Sequence, residues 1–295
     1  MSEVDLVRIA SDGLHAAINP LGAELWELRD RSGSNFLWHG DPEFWSGRAP
    51  ILFPIVGSTR APAGSLLLPR HGFARRQRFE VIEQAPARAA FRLRSDSSLL
   101  ESYPFEFELL VHIFVAGSSL RQIVTIRNLD SVPLPYSVGF HPAFPWPLPW
   151  GGKRNEHRVR FWPHTPKTLR RLSSTGFMSS ATEPAPICED ALTLEDELFN
   201  RDALIFLEQA GSRWTYSGAV GPEIMVSADE LPHLAIWSKA GAPFVCIEPW
   251  HGYSDPIDFA GAFSEKPGLS ILQPGHQRAH TLCITINSHR PGLMV

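Results

Sequence analysis

Phe105 to Val115 reads FEFELLVHIFV, and after a break at Gly117-Ser118-Ser119 the chain resumes with Leu120 to Arg127, LRQIVTIR. Apolar side chains recur at every second position, the period of an extended strand with one buried face, so the pair predicts a β-hairpin. Working outward, shorter runs of the same character occur at Ala89 to Arg94, Leu204 to Glu208, Trp214 to Ser217, Ile224 to Ser227, Leu234 to Ser238, Phe244 to Ile247 and Thr281 to Asn287. They are rich in β-branched and aromatic residues. Helical spacing is confined to Leu192 to Asn200, where Leu194, Leu198 and Phe199 would share a face. The 22 glycines and 26 prolines fall between the runs as turn punctuation. An all-β fold follows, a large sandwich of mostly antiparallel strands with little helix.

The stretch from Lys153 to Glu189 is the least strand-like, mixing prolines, serines and basic residues. Strand signals on both sides have the same type and spacing, and neither half shows an internal repeat. The stretch is therefore expected to be a long surface excursion within one domain spanning residues 1–295.

Composition narrows the function. A net charge of -4 and a pI near 6.3 leave no basic stripe for nucleic acid or an anionic membrane surface, so a small molecule is the expected partner. The N-terminal MSEVDLVRIASDG carries acids where a signal peptide would carry basic residues, and no apolar stretch reaches membrane-spanning length, so the expected location is the cytoplasm. Cys188, Cys246 and Cys283 form no CxxC pair and read as buried small hydrophobes in a reducing compartment.

No GxGxxG, Walker, GxSxG or HExxH signature occurs, which removes most support for nucleotide and serine-hydrolase chemistry. Three segments instead set an ionisable residue among glycine, proline and aromatics, the composition of structured loops that line clefts. LPRHGFAR offers His71 as a titratable donor and Arg75 as a fixed cation. SVGFHPAF holds His141 between rigid apolar neighbours, and FVCIEPW brings an apolar strand to Glu248 just before Pro249 and Trp250. Burial beside aromatics raises a glutamate pKa, the setting of a general base. A strand-end salt bridge to Arg75 is the plainer reading of Glu248. His71, His141 and Glu248 also form a formal zinc ligand set, disfavoured by the neighbouring Arg75, and the i, i+4 pair His276 and His280 lacks the glutamate of a metalloprotease helix.

At these residues the chain resembles the aldose 1-epimerase (galactose mutarotase-like) family, and in particular its LacX-like bacterial branch. The resemblance also covers NPLGAEL from Asn19, LWHGDP from Leu37, PILFPIVG from Pro50, Lys266-Pro267-Gly268 and LQPG from Leu272. It implies a one-domain β-supersandwich with a cleft across one sheet, and an enzyme that interconverts sugar anomers without cofactor or metal. In that reading Glu248 is the base that takes the proton from the C1 hydroxyl, His141 donates to the ring oxygen, and His71 orients or polarises the same region. Trp38 and Trp250 would stack on the sugar ring, and Asp202 falls where the family places a substrate-binding aspartate. After Val56-Gly57, where relatives often have arginine directly, this chain has Ser58-Thr59-Arg60. Because hexose-6-phosphate mutarotases hold the phosphate with arginines near these segments, Arg60 and Arg75 together would signal a phosphorylated substrate. A non-catalytic sugar-binding protein is the rival from another class. A lyase or hydrolase would want paired carboxylates or a tyrosine base, for which no candidate stands out.

Overall fold

The hairpin lies within a broad sheet. In the computed structural model, which describes residues 5–60 and 68–287, strand Phe107–Ala116 pairs with Ser119–Asn128, and Gly117 turns at φ +52. Glycine adopts that left-handed geometry without Cβ strain. Leu109, Val111, Ile113 and Val115 point inward with Leu120, Val124 and Ile126 of the partner strand, while Phe114 and Arg121 are exposed. The two-residue period is thus the boundary between core and solvent.

Nine strands of this sheet run in the order 191–193, 158–162, 213–217, 223–229, 277–287, 119–128, 107–116, 88–94 and 80–85, every neighbouring pair antiparallel. A six-stranded sheet contains Ile51–Leu52, Val138–Phe140, Ala143–Pro145, Leu204–Phe206, His233–Trp237 and Phe244–His251. Val111, Ile113 and Ile284 from the first sheet join Ile236, Val245 and Ile247 from the second in one continuous core, which makes the pair a sandwich. A three-stranded meander over 7–10, 14–19 and 24–30 packs beside the hairpin. Among the described residues no helix is long and apolar enough to cross a membrane.

Three expectations need correction. Leu192–Asn200 is not a helix: Ala191–Thr193 is an edge strand, followed by one 3-10 turn at Asp196–Phe199. Among the described residues the one α-helix lies instead at Ser97–Ser102, where Asp96 caps it by accepting from the Leu99 N–H at 2.9 Å. The 153–189 stretch is more than a surface excursion, since Arg158–Trp162 is a strand of the nine-stranded sheet with Val159 and Phe161 buried. Of the cysteines only Cys246 is fully buried; Cys188 is exposed.

Candidate active site

Strand Phe244–His251 does not end on its carboxylate; it runs through Glu248-Pro249-Trp250. Val245 and Ile247 enter the main core, whereas Glu248 and Trp250 line a cavity on the opposite face. On one flank the pairing is split: Ala143 faces Cys246 and Gly139 faces Trp250, with His141-Pro142 as the interruption between them. Pro249 lies beside this interruption, where a missing N–H leaves no ladder bond unmade. The same interruption brings His141 to the acid, its Nε2 standing 3.2 Å from Glu248 Oε2.

Trp45 stacks on the His141 ring at 4.7 Å between centroids, Trp237 meets its edge at 5.8 Å, and the backbone N–H of His141 donates to Pro50 O. Burial drives both members of the pair toward their neutral forms. It raises the Glu248 carboxyl well above the ordinary carboxylate range, against the pull of Arg70, and lowers His141 to about 3 with Arg75 adding to the effect. A carboxylic acid beside imidazole and a carboxylate beside imidazolium contain the same number of protons. Moving one proton between the two members converts either form into the other.

His71 sits in the left-handed region at φ 67, next to Gly72, where an added Cβ would run into Phe53 O. Its N–H donates to Gly57 O at 2.7 Å, and the Gly57 N–H donates back to His71 Nδ1 at 3.1 Å. A ring nitrogen that accepts carries no proton, so the hydrogen of the neutral imidazole is on Nε2. Burial, followed by the charges of His141, Arg70 and Arg75, holds His71 well below the ordinary histidine range. The two histidine rings meet edge to face at 5.7 Å.

These groups line a cavity of about 410 Å³, together with Arg70, Arg75, Asp202, Trp45, Trp237, Lys239 and Trp250 among others. Five residues picked out in the sequence beside Glu248 thus converge here: His71, His141, Arg75, Asp202 and Trp250. Arg75 is not the partner of Glu248, since its Nη2 donates to Arg70 O. Asp202 is both a turn residue at φ 64 and a cavity residue, with Arg70 Nη2 at 3.9 Å from its Oδ2.

Trp38 and Arg60 do not line the cavity. Trp38 is buried against Phe244, and its Nε1 donates to Trp45 O, so the indole that faces the cavity belongs to Trp45. Arg60 is turned aside, its guanidinium over the Phe177 ring and its N–H bonded to Asp255. The second cavity arginine is Arg70, which stands directly before His71 in the quoted segment.

Among the described residues the one group of potential metal ligands replaces His71 by Cys246: the ligand atoms of His141, Cys246 and Glu248 lie within 4.8 Å of one another. Burial raises the Cys246 thiol well above its ordinary range, with Glu248 adding to it, which opposes the thiolate a metal needs. His280 is engaged otherwise, with Tyr136 Oη 3.0 Å from Nε2 and Glu230 O 2.8 Å from Nδ1.

The antiparallel sandwich thus carries a buried carboxyl–imidazole pair in a cavity lined by indoles and arginines. The chain belongs to the aldose 1-epimerase family, whose model matches residues 5–284. The chromosomal protein LacX of Lactococcus lactis is 31% identical over 297 residues, spanning 95% of this chain and 99% of its own. The structure of a galactose mutarotase related enzyme from Lactobacillus acidophilus superposes with a TM-score of 0.90 at 26% identity, covering 98% of this chain and 100% of that one. A galactose mutarotase-like protein from Lactobacillus casei gives 0.87 at 27%, with 96% and 100% covered. The fold is therefore the galactose mutarotase-like sandwich, and family membership implies a sugar as substrate.

Proposed function

We propose that this protein is an aldose 1-epimerase that interconverts the α and β anomers of a hexose by opening its ring. The observation that carries the reading is the 3.2 Å approach of His141 Nε2 to Glu248 Oε2 in a cavity that Trp45, Trp237 and Trp250 also line. Sugar hydroxyls that donate to Glu248 favour the ionic form of the pair, carboxylate and imidazolium. Glu248 then takes the proton of the C1 hydroxyl while His141 gives one to the ring oxygen. The C1–O5 bond breaks and C1=O forms. His71, with its proton on Nε2, donates a hydrogen bond in the same region. After rotation about C1–C2 the steps run backwards, Glu248-H returning its proton to O1 and His141 recovering one from O5, so the pair ends as it began. Trp250 and Trp45 supply apolar faces for the pyranose. Neither cofactor nor redox carrier enters this proton balance.

A second reading, a phosphorylated hexose, is favoured by Arg70, Arg75 and Lys239 lining the same cavity. NMR anomerisation assays over free hexoses, pentoses and their 6-phosphates separate the two. The protein is expected to accelerate relaxation of α-glucose or α-galactose to its equilibrium mixture, and a preference for the 6-phosphates would select the second reading. Background rates across the whole panel, with calorimetric binding of a sugar, would instead identify a non-catalytic sugar-binding protein.

A further inference from the structure

Lys266 has no place in the mechanism above. Its side chain is nevertheless fully buried, and Nζ donates to Asp255 Oδ1 at 2.6 Å, Asp255 itself being 2% exposed. Burying an ion pair is costly enough that apolar replacements often do as well, so stability alone does not account for it. What Asp255 holds is more informative. Its Oδ2 accepts from the Arg60 N–H at 2.6 Å, and its own N–H donates to Ser58 O at 2.9 Å. Beside it, Ser254 Oγ accepts from the Ser58 N–H at 2.9 Å. Residues 58–60 are thus pinned from two consecutive residues of another loop. Gly57 directly precedes them, so closely packed that a Cβ would fall 2.6 Å from Ser254 Cβ, and Gly57 is the donor that keeps His71 Nδ1 free of a proton.

We propose that Lys266 is a positioning residue: through Asp255 and Ser254 it fixes Gly57 and thereby locks His71 in the tautomer whose proton is on Nε2. If the 57–60 segment drifts, Nδ1 loses its donor, the ring takes up the other tautomer, and the hydrogen-bond donor on the cavity side becomes an acceptor. The lock concerns the state of His71 itself; only its effect on turnover rests on the proposed function.

The test is 15N NMR of histidine-labelled full-length protein, with His71→Gln used to assign the His71 resonances. In the wild-type protein His71 is expected to show Nε2–H alone. Lys266→Met leaves a buried unpaired carboxylate and is expected to give a mixture of tautomers, with kcat down at least about tenfold and KM within about twofold. In Lys266→Met/Asp255→Asn the carboxamide oxygen still accepts from the Arg60 N–H and no charge is buried, so Nε2–H is expected to return. If Lys266→Met does not fold, Ser254→Ala, which removes the acceptor of the Ser58 N–H, is expected to produce the mixture. A folded Lys266→Met, or failing that Ser254→Ala, with an unchanged His71 tautomer overturns the proposal. A tautomer change in a protein that anomerises no sugar leaves the lock standing and removes only the enzymatic reading.

Discussion

Among the described residues, two contacts between an acid and a base are buried on both sides, and they are finished differently. In Lys266–Asp255 both carboxylate oxygens are occupied, one by the ammonium and one by a backbone N–H. In His141–Glu248 the imidazole Nδ1 has no partner among the described residues, and the carboxyl faces a cavity. The first pair commits both of its carboxylate oxygens to the fold. The second keeps some in reserve at the wall of a cavity, where an unpartnered buried polar atom costs about 1–3 kcal/mol until a ligand meets it. The contrast separates a structural pair from one poised to meet a ligand.

The largest test of this contrast is Glu248→Gln. A carboxamide cannot take the C1 hydroxyl proton, so anomerisation is expected to fall by roughly 10²–10⁴, measured by NMR, while the folded state persists. Loss of activity together with unfolding would make the open pair structural after all. Next, Lys266→Met is expected to cost about 3–5 kcal/mol in urea denaturation, because it strands a buried carboxylate. A loss below about 1 kcal/mol would erase the distinction from the other side.

Read per pH unit, the smallest effect is the pH dependence of stability. A carboxyl whose folded pKa is raised binds its proton more tightly in the folded state, so its contribution is full below the ordinary value of 4.5 and is lost as pH rises above it. Thermal melts should therefore show Glu248→Gln gaining on the wild-type protein as pH rises from 4.5, by at most about 1.4 kcal/mol per pH unit. His141 runs the other way. Lowered from 6.5 to about 3, it contributes stability above 6.5 that is lost as pH falls through that window. His141→Gln is expected to flatten this acid limb.

Legibility in the sequence follows the range of the forces involved. The hairpin and the strands near 88–94, 213–217 and 223–229 were readable because alternation is local, and Glu248, His71 and His141 because their glycine, proline and aromatic neighbours mark the interruptions that expose them. Ser97–Ser102 is too short for a helical period to emerge. Arg158–Trp162 alternates correctly but sits among prolines and basic residues that disguise it. Trp38 and Trp45 belong to one aperiodic segment, and which indole reaches the cavity depends on Phe244 and His141 far along the chain. Arg60 is held aside by Asp255, also distant in sequence, which left Arg70 to take the place expected of it.

The alternation of Phe244–His251 has a further consequence for how the gene can change. Deleting one residue between Phe244 and Ile247 would rotate Glu248 into the core and bring an aliphatic side chain to the cavity, whereas deleting two would preserve both faces. The turn at 239–243 carries no such parity rule. Within the strand, length changes keep Glu248 at the cavity only in twos.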